Sequence, residues 1–216
     1  MQSLNPDVAA VLHSGGLDST VCLLLAMESG RQVRSIGIDY GQRHSIELEH
    51  AERQCSKYGI ERVVLQVKWH KPTRVIPTGR KPKEMRSSVS PAFLPGRNVI
   101  FLSLALAEAI GMNAKEIWIG VNSIDFSGYP DCTAQFIEAF QTMSKIAIPE
   151  GPHIVAPLQF KSKREIALEA RRLGLQRDDT WSCYRPVESS ERIVPCRQCD
   201  ACILHDTAWD AIDVRT

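Results

Sequence analysis

The chain has 216 residues, a formal net charge of +1 and 44% hydrophobic residues, which suits one core-bearing domain, with or without an appendage, and no disulfide staples. The balanced charge argues against a polynucleotide partner, whose binding proteins carry a strong basic footprint. No stretch reads as a signal peptide or reaches the roughly eighteen apolar residues of a membrane span, so a cytoplasmic protein with no membrane partner is expected.

In chain order, Val8 to Leu12 predicts a strand, Ser14-Gly15-Gly16-Leu17-Asp18-Ser19 a glycine loop, and Val21 to Ala26 the helix behind it. Paired glycines remove the Cβ atoms that keep an anion off the backbone, and the helix dipole adds positive potential, so a phosphate or pyrophosphate is the expected guest. The loop is neither a Walker A motif nor a G-x-G-x-x-G fingerprint. Val33 to Ile38 predicts a second strand, followed by Asp39-Tyr40-Gly41-Gln42-Arg43-His44, a helix from about His44 to Tyr58, and a third strand over Val63 to Val67. Residues 68–95 hold five prolines and no periodicity, and read as a loop or lid.

Leu94-Pro95-Gly96-Arg97-Asn98 leads to an apolar helix starting at Phe101. Arg97 there opposes the helix dipole, which a bound anion or carboxylate would explain, and Asn98 is a candidate cap. Glu116 to Val121 predicts a strand. The loop after it carries Asp125, Phe126, Tyr129 and Asp131, suited to stacking a planar base and accepting from its amino or ring N–H groups. A helix over Ala134 to Ala147, a short strand over His153 to Ala156 and a helix over Lys163 to Leu173 follow, with the Lys163 ammonium placed to supplement the phosphate site. The alternation predicts an α/β fold, a doubly wound parallel sheet with ligands at the carboxyl ends of its strands.

Seven cysteines in a cytosolic chain argue against a disulfide framework. Cys22 and Cys55 read as buried apolar side chains. Cys183 with Cys196-x-x-Cys199-x-x-Cys202 can turn four thiolates to one closed structural site, for zinc or, by spacing alone, an iron–sulfur cluster.

The S-G-G-x-D-S loop resembles the PP-loop of the N-type ATP pyrophosphatases, which cleave ATP between its α and β phosphates. The resemblance implies that His13, Ser14, Gly15, Gly16, Leu17, Asp18, Ser19 and Thr20, with Asp39 and Lys163, bind ATP, and that Asp18 positions Mg²⁺. Together with the D-Y-G-Q-R-H, P-G-R-N, S-G-Y-P-D-C and P-L-x-x-x-S-K-x-E-I stretches, Thr180 to Tyr184 and the cysteine triplet, it resembles the QueC family over nearly the whole chain. That family implies a cytoplasmic, commonly homodimeric ligase of queuosine biosynthesis, with one structural zinc. It converts 7-carboxy-7-deazaguanine and ammonia to 7-cyano-7-deazaguanine through an adenylated acid and an amide. Arg97, Asn98, Asp125, Phe126, Tyr129 and Asp131 are then expected at the substrate, and no covalent nucleophile, Cys132 included, is needed. Residues 1–180 form the expected ATP-binding domain and 181–216 a zinc-binding tail packed on it.

The chain departs from the family's usual residues at Arg197 (Gly), His205 (Arg) and Thr133 (Arg), and across Trp69 to Ser90. These departures touch the acceptor side, so two alternatives accompany the main reading. One is a paralogue that delivers the acyl group to another amine, including one on a partner protein. The other is a zinc-stabilised nucleic-acid-binding module.

Overall fold

The structure is a computed structural model and describes residues 7–41, 46–70, 75–85, 89–122, 129–189 and 192–213. The elements are β1 (Val8–Leu12), α1 (Leu17–Glu28), β2 (Gln32–Asp39), α2 (Ile46–Tyr58), β3 (Glu61–Gln66), α3 (Pro82–Met85), α4 (Arg97–Gly111), β4 (Glu116–Ile119), α5 (Ala134–Ala147), β5 (His153–Val155), α6 (Lys163–Arg172), β6 (Val187–Ser189), β7 (Arg192–Val194) and α7 (Asp200–Asp213).

Strands β3-β2-β1-β4-β5 form one sheet in that order, and every pairing is parallel. Strand direction forces consecutive side chains of β1 to opposite faces. Ala9 and Val11 join Val21, Ile166 and Trp209 on one side, whereas Ala10 and Leu12 join Ile36, Leu102, Ile117 and Phe140 on the other. A strand buried on both faces must be apolar throughout, as Val8 to Leu12 is. β1 is flanked by β2 on one side and β4 on the other, so the order reverses there and a crevice opens beyond its carboxyl end.

Helix α4 begins at Arg97, four residues earlier than expected, behind Gly96; Asn98 lies in its first turn and is not its cap. The antiparallel β6–β7 hairpin and α7 were not anticipated. α7 packs beside α6, where Trp209 is buried in the core shared with α1, and the Arg171 guanidinium donates to the Ile212 carbonyl at 2.8 Å. Residues 78–80 of the expected lid are tied down on the cysteine tail. Thr78 bridges Cys199, Gly79 N–H donates to the Gln198 carbonyl at 2.9 Å, and Arg80 pairs with Asp200 at 2.8 Å. Among the described residues no helix is long and apolar enough to cross a membrane.

Candidate functional site

A cleft of about 300 Å³ lies over the carboxyl ends of β1 and β4, within the size range of small-molecule sites. His13, Ser14, Gly16, Leu17, Asp18, Ser19 and Lys163 line one part of it; Arg97, Asn98, Tyr129 and Cys132 line another. Helix α1 supplies the anion-binding geometry. Its N-cap, Gly16, offers no side-chain cap, and among the described residues the N–H groups of Leu17, Asp18 and Ser19 have no hydrogen-bond partner. Free N–H groups at a helix start, with the dipole behind them, attract a phosphate. The Ser162–Glu165 capping box starts α6 at Lys163 and so brings its ammonium onto the Asp18 carboxylate, Nζ to Oδ2.

Of the two loop glycines, Gly16 lines the cleft, whereas Gly15 serves packing. Gly15 has φ +86, and a Cβ there would sit 2.3 Å from the Glu47 carbonyl oxygen and 2.7 Å from the Ala51 nitrogen, so glycine lets α2 press against the loop. At Gly120, just past β4, a Cβ would meet the Asp18 carbonyl oxygen at 2.7 Å. Gly15 does not line the cleft, and neither does Asp39, whose Oδ1 accepts from Gly41 N–H at 3.0 Å while neighbouring Tyr40 faces the cleft.

Thr20 is fully buried behind the loop, where its hydroxyl meets the Gly16 carbonyl at 2.7 Å and Gln54 Oε1 at 3.0 Å. It therefore shapes the loop from behind and does not line the cleft. The Gln54 amide donates to the Asp179 carbonyl at 2.7 Å, which turns its Oε1 to accept from His13 Nε2–H at 2.7 Å; His13 Nδ1 then accepts from Ser35 Oγ at 3.2 Å. Burial, helped by the Arg62 charge, pushes the His13 ring down to about 3. The unfolded chain protonates this ring below pH 6.5, the folded one only near 3. Between those values the unfolded state holds the extra proton, so stability falls as pH drops, by up to about 1.4 kcal/mol per unit, and the effect vanishes above pH 6.5. His13→Gln is expected to flatten the decline of the urea-unfolding free energy between pH 6 and 4 by that amount; an unchanged slope would contradict the neutral buried ring.

On the other part of the cleft, the Arg97 guanidinium lies 6.0 Å over the Phe101 ring and has no hydrogen bond or ion pair among the described residues. A permanently charged fork held beside Tyr129 and Cys132 in a cleft is a ready partner for a carboxylate. Tyr129 stacks on Phe93, with centroids 5.2 Å apart and planes at 23°. Burial pushes the Cys132 thiol up to about 12, which leaves it a poor nucleophile near neutral pH. Asp131 is taken up structurally: Oδ2 accepts from Asn98 N–H at 3.1 Å at the start of α4. The Asn98 amide donates to the Asp131 carbonyl at 2.9 Å and to Cys132 Sγ at 3.3 Å. Asp125 and Phe126 lie outside the described residues. Asp200, Tyr184 and His205 also line the cleft and were missed as site residues.

The sulfurs of Cys183, Cys196, Cys199 and Cys202 lie within 4.8 Å of one another. A tetrahedron of thiolates about 2.3 Å from one ion needs sulfurs roughly 3.8 Å apart, and Cys196 and Cys202 already stand at 4.0 Å. Backbone N–H groups of Arg185 and Cys196 donate to Cys183 Sγ, and that of Cys199 to Cys196 Sγ, each at 3.3 Å, the outer support expected around metal-bound thiolates. The set has the donor atoms and spacing to hold a metal ion. Arg197 within it has φ +57, which accounts for glycine being usual at this position; its guanidinium pairs with Asp206 at 2.5 Å. Thr133, another departure, caps α5 by accepting from Phe136 N–H at 3.2 Å.

Residues 8–213 match the protein family QueC, described as "Queuosine biosynthesis protein QueC". The 7-cyano-7-deazaguanine synthase 2 of Rhodopseudomonas palustris (strain HaA2) is 57% identical over 202 residues, 94% of this chain and 96% of that protein. The 7-cyano-7-deazaguanine synthase of Novosphingobium aromaticivorans is 41% identical over 212 residues, covering 94% and 90%. That of Rhodopirellula baltica is 39% identical over 211 residues, covering 91% and 84%.

Proposed function

This chain belongs to the QueC family, and from that premise we propose that it makes 7-cyano-7-deazaguanine from 7-carboxy-7-deazaguanine, ammonia and ATP. The observation that carries the reading is one cleft holding both a phosphate-ready helix start with Asp18 and Lys163 and an Arg97 guanidinium with no ion pair among the described residues.

A carboxylate resists ammonia because oxide is a hopeless leaving group. Attack of a carboxylate oxygen on the α-phosphorus of ATP expels pyrophosphate and turns that oxygen into part of AMP. Ammonia then displaces AMP to give the amide. The amide oxygen repeats the attack on a second ATP, and loss of AMP and a proton leaves the nitrile. Arg97 holds the acid, the N–H groups of Leu17 to Ser19 receive the phosphates, and Lys163 neutralises charge on the departing pyrophosphate. Asp18 Oδ1 is buried with no hydrogen-bond partner among the described residues, which fits a hard cation. Mg²⁺ bound there would offset phosphate charge as the α–β bond breaks. The cysteine site has no position open for water, so zinc there would be structural.

The test incubates metal-replete protein with ATP, Mg²⁺, the carboxy base and ammonium. The expected products are the cyano base by mass, with two AMP and two pyrophosphate per nitrile. ADP, or an acyl group found only on another amine, would overturn the reading. No observation favours acyl transfer to a protein or nucleic-acid binding.

A further inference from the structure

With Asp131 committed to the start of α4, the substrate end of the cleft needs another acceptor for the donor edge of a guanine-like base. We propose that Asp200 is that acceptor, its Oδ1 receiving the exocyclic amino group or ring N–H of the deazaguanine. The assignment rests on the function proposed above and names a specificity residue within it.

Asp200 opens α7 and lines the cleft, with its side chain only 5% exposed. Its Oδ2 is fixed by Arg80 Nη1 at 2.8 Å and by Ser90 Oγ at 3.3 Å. Its Oδ1 is buried with no hydrogen-bond partner among the described residues. A buried acceptor left without a partner is costly, so a purely structural carboxylate would spend both oxygens on the protein. Here one oxygen is anchored and the other is buried without a partner among the described residues, the arrangement of a group that reads a ligand.

The surroundings match a flat substrate with a carboxylate at one end and donors at the other. Tyr129, stacked on Phe93, lies within electrostatic reach of both Arg97 and Asp200. A base laid against this aromatic pair can turn its acid toward the cation and its amino edge toward the anion. Arg80 and Ser90 belong to the stretch between β3 and α4, so that stretch sets the orientation of the reading group.

The test compares 7-carboxy-7-deazaguanine with the analogue lacking the exocyclic amino group, 7-carboxy-7-deazahypoxanthine, in wild type and Asp200→Asn. Asparagine can keep its oxygen toward Arg80 and Ser90 while presenting NH₂ in place of the acceptor. Wild type should prefer the amino-bearing acid by at least about tenfold in kcat/KM, since a buried acceptor rejects a ligand lacking its donor. Asp200→Asn should bring that preference within about threefold, chiefly by raising KM for the amino-bearing acid. A variant that keeps the tenfold preference, or that loses activity equally on both acids, overturns the assignment. Wild type using both acids equally overturns it too, whether or not the variant folds. Failure of wild type to release pyrophosphate with either acid overturns the proposed function itself.

Discussion

Replacing Asp18 with asparagine is expected to lower kcat for pyrophosphate release by roughly 10²- to 10³-fold, the scale of losing one preorganised charge-stabilising group, with little change in thermal stability. Asp18 sits in the first turn of α1, where the dipole favours its charge by only about 0.3–1 kcal/mol. Its ion pair with Lys163 is partly open to solvent, with side chains 25% and 20% exposed, so little stability depends on it. The proposed reaction depends on it far more. Oδ2 holds the lysine in place while Oδ1 has no partner among the described residues, and asparagine removes the charge that the lysine and a cation there would both need. Phosphate charge develops as the α–β bond breaks, so the loss should fall on kcat rather than on KM for ATP. A loss below about threefold would remove Asp18 from the machinery.

Stripping the metal, or replacing Cys202 with serine, should have the largest effect on stability. Structural zinc contributes about 10–16 kcal/mol of apparent binding energy in isolated zinc fingers. Even ~3 kcal/mol retained against unfolding would lower Tm by roughly 6–12 °C in a chain of this size. The loss should begin locally. The cysteines join the loop after Trp181 to the start of α7, and residues 78–80 lean on the same knot through Cys199, Gln198 and Asp200. Tyr184, Asp200 and His205 of the cleft ride on this region. Activity should therefore vanish before the parallel sheet melts, with most helical circular dichroism retained. Cys22, buried among the apolar residues of α1, is the control: Cys22→Ala should leave metal content unchanged. Metal release with unaltered Tm and activity would contradict a structural role.

How much of this was legible beforehand depended on whether a signal was local. The order strand, loop, helix at Val8 to Ala26 follows from apolar runs and glycines alone, and α5 begins and ends where its periodicity does. Direction was not legible. Thr20 and Asp131 lie beside cleft-lining residues in sequence, yet the helical turn sends Thr20 toward Gln54, and the start of α4 captures Asp131 from 33 residues away. Paired glycines predict space cleared for an anion, and Gly16 does line the cleft, whereas Gly15 answers to the backbone of α2, a tertiary neighbour invisible in its own segment. α7 was hidden because Cys202, the cysteine within it, reads only as a ligand. Its buried Cys202 and Trp209, seven residues apart, were the available helical signal. The β6–β7 hairpin is short and largely exposed, so no apolar alternation marked it. Asp200 escaped for a related reason: only the fold sets its carboxylate between Arg80 and the cleft.

The central claim is that this cleft joins the oxygen of a deazaguanine acid to the α-phosphorus of ATP. It is tested most directly with 7-carboxy-7-deazaguanine labelled with ¹⁸O in both carboxylate oxygens. The account predicts one ¹⁸O in each AMP released, two labelled AMP per nitrile, and unlabelled pyrophosphate. Label in pyrophosphate or inorganic phosphate, or AMP without label, would contradict it.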